Sequence, residues 1–229
     1  MQNKGMTDNF VSSFLVYFIL FICSACGGSQ HYNITEAAWD NQFAKGKWDY
    51  LGKVAIERAR NSVISGVFAL SFAPKGRILD VGCGEGVLSD YLNEFQKKLY
   101  LGLDISYEAV RIARRKRSTL NFLQSDAKLF VPPSGQQYDV IIFNEMIYYM
   151  DHLAVLKQYS TSQYLSKDGI IVICVWYTNK IDFLRSSIFS DARSVLESVD
   201  MVEISGATGA PNKPKTPISF HIEAFRVRA

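Results

Sequence analysis

The chain has little cysteine, little histidine and no strong charge of either sign, and each shortage removes a class of function. Four cysteines in 229 residues, Cys23, Cys26, Cys83 and Cys174, are too few and too scattered for a disulfide framework. Cys23 and Cys26 have C-x-x-C spacing, but they close an apolar leader rather than open a helix after a strand, which argues against a redox motif. His31, His152 and His221 stand far apart without metal-ligand spacing or a cluster of partners, so no metal is expected. A net charge of +3 is too weak to imply a polyanionic partner, and no nucleic acid is expected. The densest basic run, Arg111 to Arg117 (RIARRKR), falls where a helix should end, and cations there complement the helix dipole. There is no internal repeat and no low-complexity tract.

What is present is an ordinary globular composition, 48% hydrophobic and 21% charged, in a chain long enough for one sizeable domain. Residues 1–28 differ from the rest. An apolar stretch from Phe10 to Ile22 is shorter than the roughly 20 residues of a membrane span and ends in Cys23, Ser24, Ala25, Cys26, Gly27 and Gly28. Three readings stay open: a lipoprotein signal resembling a lipobox, a short membrane anchor acting through residues 10–26, and a misplaced start. Asp8 counts against a signal, whose leading region should be net positive.

From Ser29 onward helical and strand-like patterns alternate. Thr35 to Ala44 reads as a short helix, and Lys53 to Phe72 as a longer one with Ile56, Ala59, Val63, Val67 and Leu70 on its inner stripe. Residues 35–76 form an entry segment of helices; a sheet domain follows over 77–229. Apolar runs at 77–82, 98–104, 121–126, 138–144 and 169–177 read as strands, most of them separated by helical stretches. That alternation requires a parallel sheet covered on both faces. Ile181 to Leu196 can form another helix, Met201 to Ser205 and Ile218 to Arg228 two more strands, and Gly206 to Pro217 an exposed connection.

The most informative stretch is ILDVGCGEGVLSDYL, residues 78–92. A strand that runs into Gly82, Gly84 and Gly86 and then a helix exposes backbone N–H groups and lets a ligand approach the main chain. Asp104 closes the next strand about 20 residues on, where a carboxylate can accept hydrogen bonds from ribose hydroxyls. The spacing is G-x-G-x-G, whereas the dinucleotide fingerprint is G-x-G-x-x-G. This segment resembles motif I of the class I S-adenosylmethionine (SAM) methyltransferases, with Asp80 as its first acid. The resemblance continues through YLGLDIS (100–106), LQSDA (123–127), YDVIIFNEMIYYM (138–150) and LSKDGIIVI (165–173), and so covers residues 35–229. NEMIYY is similar to a branch that includes nodulation-factor N-methyltransferases.

The resemblance implies an α/β, Rossmann-like, doubly wound fold. Its seven-stranded sheet would be mostly parallel, with helices on both faces and an antiparallel C-terminal strand. It also implies SAM as methyl donor and a small-molecule acceptor. Gly82, Cys83, Gly84 and Gly86 would line the methionine half of the donor, with Asp80 near its amino group. Asp104 would hold the ribose, Ile105 and Ala127 would flank the adenine, and Asp126 would meet its exocyclic amine. Asn144 and Glu145 would sit under the sulfonium. An N-cap or surface role is the plain alternative for Asp126 and Glu145.

For an amine acceptor, Glu145, Tyr148, Tyr149 and His152 are the candidate proton-handling groups, and His152 also suits a helix start. Trp39, Trp48, Tyr50, Tyr148, Tyr149, Trp176 and Tyr177 would crowd the mouth, either as an acceptor pocket or as ordinary packing. A cytosolic enzyme is the expected class, with a membrane-tethered SAM-binding module and an NAD(P)-dependent oxidoreductase as alternatives.

Overall fold

The computed structural model describes residues 34–177, 182–208 and 216–228. The leader, with its signal, anchor and start-site readings, lies outside the described residues, as does His31. Among the described residues, no helix is long and apolar enough to cross a membrane.

In chain order the elements are α1 (Glu36–Ala44), α2 (Ala55–Val63), β1 (Ile78–Val81), α3 (Glu94–Lys98), β2 (Tyr100–Asp104), α4 (Tyr107–Lys116), β3 (Asn121–Gln124), β4 (Tyr138–Asn144), α5 (His152–Tyr159), β5 (Leu165–Tyr177), α6 (Asp182–Val195), β6 (Leu196–Thr208) and β7 (Thr216–Val227). Helix α2 continues through a π-helical segment, Ile64–Ala69, into a closing α turn, Leu70–Phe72. The strands form one sheet in the order β3-β2-β1-β4-β5-β7-β6. β1 pairs in parallel with β2 and β4, and β7 is inserted antiparallel between β5 and β6. The expected Rossmann-like, doubly wound sheet with its antiparallel C-terminal strand is therefore the observed one.

Alternation along the central strands builds two cores. Leu79, Val81, Ile141, Phe143, Ile171 and Ile173 face one side and pack with Val155, Leu156, Ile188 and Ala192 of α5 and α6. Ile78, Val140, Ile142, Ile170 and Val172 face the other and meet Ile64, Phe68, Val110 and Ala113. Strands buried on both faces must be apolar at nearly every position, which is why they read so plainly in the sequence.

Three local expectations change. The inner face of α2 is not the stripe Ile56, Ala59, Val63, Val67, Leu70, because Val67 and Leu70 are exposed. It runs instead through Ile56, Glu57, Arg60, Asn61, Ile64, Ser65, Phe68 and Ala69. Polar side chains there satisfy one another, and the π segment shifts the register. The glycine turn feeds only a five-residue 3-10 helix, Val87–Tyr91, before α3. β6 and β7 reach into the connection predicted over Gly206 to Pro217, with Gly206 opposite Ile218 and Thr208 opposite Thr216, and residues 209–215 lie outside the described residues.

Side-chain caps fasten the helices. Thr35 accepts from Ala38 N at α1, Ser106 from Ala109 N at α4, and Asp151 from Ala154 N at α5. Asp40 of α1 accepts from Ser106 Oγ at 2.6 Å and Glu108 N at 3.0 Å, which ties the entry helix to the start of α4. The basic run ends α4 as expected and is used internally: Arg111 pairs with Glu108, Arg114 donates to Phe122 O, Lys116 meets Glu85 and Arg117 meets Asp90.

Candidate active site

β1 stands between β2 and β4, where the strand order reverses, and ligands of open α/β sheets bind outside the carboxyl ends of strands at such a point. A cavity of about 520 Å³ opens there, between the ends of β1, β2 and β4, the entry segment and α2. Gly82 and Gly84 line it with φ of +72° and +53°, in the left-handed region that glycine reaches without penalty. Gly84 N donates to Asp104 Oδ2 at 2.8 Å and Ser106 N to Asp104 Oδ1 at 2.9 Å, so Asp104 also organises the turn. Each carboxylate oxygen keeps a second lone pair for a ligand.

Asp80 accepts from Tyr100 Oη at 2.8 Å through Oδ2, while its Oδ1 is buried without a partner. Burial pushes the Asp80 carboxyl up to about 7, against the lowering effect of the Tyr100 bond. Burial likewise raises Asp104 to about 6, although two backbone N–H groups favour its charged form. Cys83, Ile105, Asp126, Ala127 and Asn144 line the same cavity. Asp126 Oδ1 caps a turn by accepting from Lys128 N at 2.9 Å, and the residue also lines the cavity. Asn144 donates to Asn61 Oδ1 at 3.1 Å and keeps a buried, unpartnered Oδ1.

Glu145 is neither a cap nor a surface residue. Its φ of +64° makes it the only non-glycine residue in the left-handed region among those described, and such strain concentrates at functional sites. Trp176 N donates to Oε1 and Tyr148 Oη donates to Oε2 at 3.1 Å. Arg60 Nη1 lies 3.8 Å from Oε2, and burial holds the Glu145 carboxyl up at about 7. Trp39, Trp48, Tyr50, Tyr148, Tyr149 and Trp176 all line the cavity, whereas Tyr177 lies outside it under the Arg185 guanidinium.

Two sequence candidates are not in the site. His152 begins α5 and meets Asp191 of α6 at 2.7 Å; a residue right after the capping Asp151 is turned to helix packing. Gly86 does not line the cavity; it caps the 3-10 helix at φ +80°, and a Cβ there would stand 2.6 Å from the Phe122 ring. Gly86→Ala is therefore expected to cost about 2–4 kcal/mol of stability through strain and overpacking, read by urea unfolding. Unchanged stability would contradict that packing role. His221 also has partners after all, Glu203 at 3.0 Å and Glu223 at 2.9 Å.

Sequence reasoning missed Glu57, Arg60 and Asn61 of α2, all buried at the cavity wall. Their i, i+3, i+4 spacing beside Ile56 and Ile64 was the available signal, hidden because only apolar residues were sought on the inner face.

Four carboxyls raised by burial, Asp80, Asp104, Glu145 and Glu57, set a pH dependence. They hold their protons to higher pH when folded than when unfolded, so the folded state binds more protons between about pH 4.5 and 7. Their contribution to stability is complete below the unfolded values and is lost as pH rises through the folded ones. Glu223 and Glu108 are shifted downward, and what they add is already in place above that lower limit. The urea midpoint of the ligand-free protein is expected to fall as pH is raised from about 5 to about 8; a rise would contradict these assignments.

A family model described as a methyltransferase domain matches residues 56–202. Malonyl-[acyl-carrier protein] O-methyltransferase 2 of Ilyobacter polytropus is 26% identical over 155 residues, covering 66% of this chain and 58% of that protein. Nodulation protein S of Sinorhizobium fredii is 27% identical over 106 residues, 45% of this chain and 47% of that protein. The chain thus spans about half the length of these curated relatives. Among solved structures, N-methyltransferase NodS of Bradyrhizobium japonicum, in complex with S-adenosylhomocysteine, superposes with a TM-score of 0.64 at 16% identity over 85% of this chain and 98% of that one. A TehB-like SAM-dependent methyltransferase of Corynebacterium glutamicum gives 0.55 at 18% identity, over 85% and 100%. At those identities the superpositions speak for the fold, while the match over residues 56–202 carries the assignment: the chain belongs to the methyltransferase domain family.

Proposed function

We propose that the protein transfers a methyl group from SAM to the nitrogen or oxygen of a small-molecule acceptor, with donor and acceptor meeting in the cavity at the ends of β1 and β4. The observation that carries this reading is the buried, unpartnered Oδ1 of Asp80 beside a glycine turn open to the cavity. An isolated buried carboxylate is costly, and a ligand's ammonium supplies the missing counter-charge. The residues fit the donor in other respects. Gly82 and Gly84 leave the main chain approachable beside Cys83, Asp104 offers two further lone pairs to ribose hydroxyls, and Ile105 and Ala127 bring apolar surface to an adenine with Asp126 beside it.

When bound, the sulfonium supplies an activated methyl group, and attack on it is an in-line displacement that needs alignment and dryness more than covalent help. The chain's part follows from that. Trp39, Tyr149 and Trp48 line the cavity, with Trp39 edge-on to Tyr149 at 5.0 Å and tilted on Trp48 at 5.9 Å, and these rings put apolar surface around the reacting atoms. Asn144 and Glu145, leaving β4, stand at the junction of the donor and acceptor halves. The donor is made in the cytosol, so the domain works there. The relatives include an O-methyltransferase and an N-methyltransferase by name, which is why both acceptor atoms enter the proposal.

Incubating the protein with methyl-labelled SAM and a small-molecule cell extract tests the proposal. Label in a discrete small molecule, with S-adenosylhomocysteine released, is the expected result. Label confined to protein or nucleic acid would overturn it.

A further inference from the structure

We infer that the acceptor is an amine that enters the cavity as an ammonium and is held by Glu145. This rests on the methyl-transfer reading above and specifies the acceptor for the same site. The charges around the acceptor half do not balance. Arg60 is the guanidinium there, and it is turned away: Nη2 lies 2.8 Å from Glu57 Oε2, the guanidinium sits over the Phe220 ring at 4.8 Å, its Nε is buried without a partner, and its side chain is 4% exposed. Glu145 is 3.8 Å from that guanidinium, beyond hydrogen-bond reach, and its side chain is 16% exposed. The carboxylate faces the cavity, and the cation that would otherwise serve it is turned to Glu57.

A carboxylate acceptor needs the opposite arrangement, an open guanidinium or ammonium. Lys128, the other cation of the lining, stands beside Asp126 at the far end on the loop after β3. Tyr50, Tyr148, Tyr149 and Trp176 wall the space near Glu145 with aromatic rings, whose π systems attract a cation. Burial disfavours a charged pair inside such a wall, so the ammonium proton passes to Glu145: an N–H bond breaks, its electron pair stays on nitrogen as the attacking lone pair, and the proton ends on a carboxylate oxygen. The groups that set the readiness of Glu145 for this are Arg60 and Glu57 from α2, Tyr50 from the entry segment, Tyr148 and Tyr149 from the 3-10 turn after β4, and Cys174 on β5.

The test uses three probes of one shape, benzylamine, benzyl alcohol and benzoate, titrated into the full chain saturated with S-adenosylhomocysteine. Benzylamine is expected to bind at least about tenfold tighter than benzyl alcohol, and benzoate weakest. Glu145→Gln should erase the preference while S-adenosylhomocysteine affinity stays within about threefold, which also certifies that the variant is folded. In the unaltered protein, benzylamine binding should strengthen as pH rises from about 5.5 to about 8.5 and Glu145 ionises, while benzyl alcohol binding stays flat. Benzoate binding as well as benzylamine, or a preference that survives Glu145→Gln, would overturn the inference while leaving the donor site intact. Failure of S-adenosylhomocysteine to bind at all would overturn the inference and the methyl-transfer reading together.

Discussion

Gly84→Val is expected to abolish binding of S-adenosylhomocysteine, a loss of more than about 100-fold. Gly84 holds φ +53° and lines the cavity, and a Cβ built on it meets only the Phe43 ring, at 3.5 Å, an ordinary contact distance. The protein therefore does not block the new side chain; the cavity receives it, and the branched methyls take volume that the ligand needs. A β-branched residue at that φ also strains the turn by about 1–2 kcal/mol, and with it the Gly84 N–H bond to Asp104. Gly135→Ala separates the two effects, because Gly135 has φ +76° with open space around it and lies outside the cavity. It should lose some stability and no affinity. Calorimetric titration of both variants decides; wild-type affinity in Gly84→Val would move the donor away from the turn.

Arg60→Leu is expected to cost about 3–5 kcal/mol of folding stability, because it leaves Glu57, 5% exposed, as a buried carboxylate without its counter-ion. Replacing both partners, Glu57→Leu with Arg60→Leu, should recover most of the loss, since apolar residues fill the space without an unpaired charge. The pH dependence follows from Glu57, whose carboxyl burial already raises while Arg60 lowers it. Without Arg60 the folded value rises further, so the penalty is full at neutral pH and shrinks as pH falls and Glu57 takes up a proton. Urea unfolding at two pH values measures it. A single variant as stable as the wild type would show that Arg60 does not balance Glu57.

The sheet was legible because strands buried on both faces leave long apolar runs, and because β1, the glycine turn and Asp104 repeat a spacing set by ligand geometry. The inner face of helix α2 was not, since it carries Glu57, Arg60 and Asn61, whose burial is offset by pairing of Arg60 with Glu57 and by a bond from Asn144, distant in sequence, to Asn61. Gly86 belonged to the motif by spacing yet serves packing against Phe122, a contact made only when β3 comes alongside β2. His152 followed a recognisable cap, and the sequence could not reveal that Asp191 of α6 would claim it. Tyr148 and Tyr149 line the cavity because both follow directly from the end of β4, where local order suffices.

The most direct measurement is a calorimetric titration of the full chain with SAM, S-adenosylhomocysteine and NAD. The cavity built around Asp80, Gly82, Gly84 and Asp104 predicts that the first two bind with one-to-one stoichiometry and that NAD gives no binding heat. Saturable binding of NAD with no response to either adenosyl compound would contradict the account.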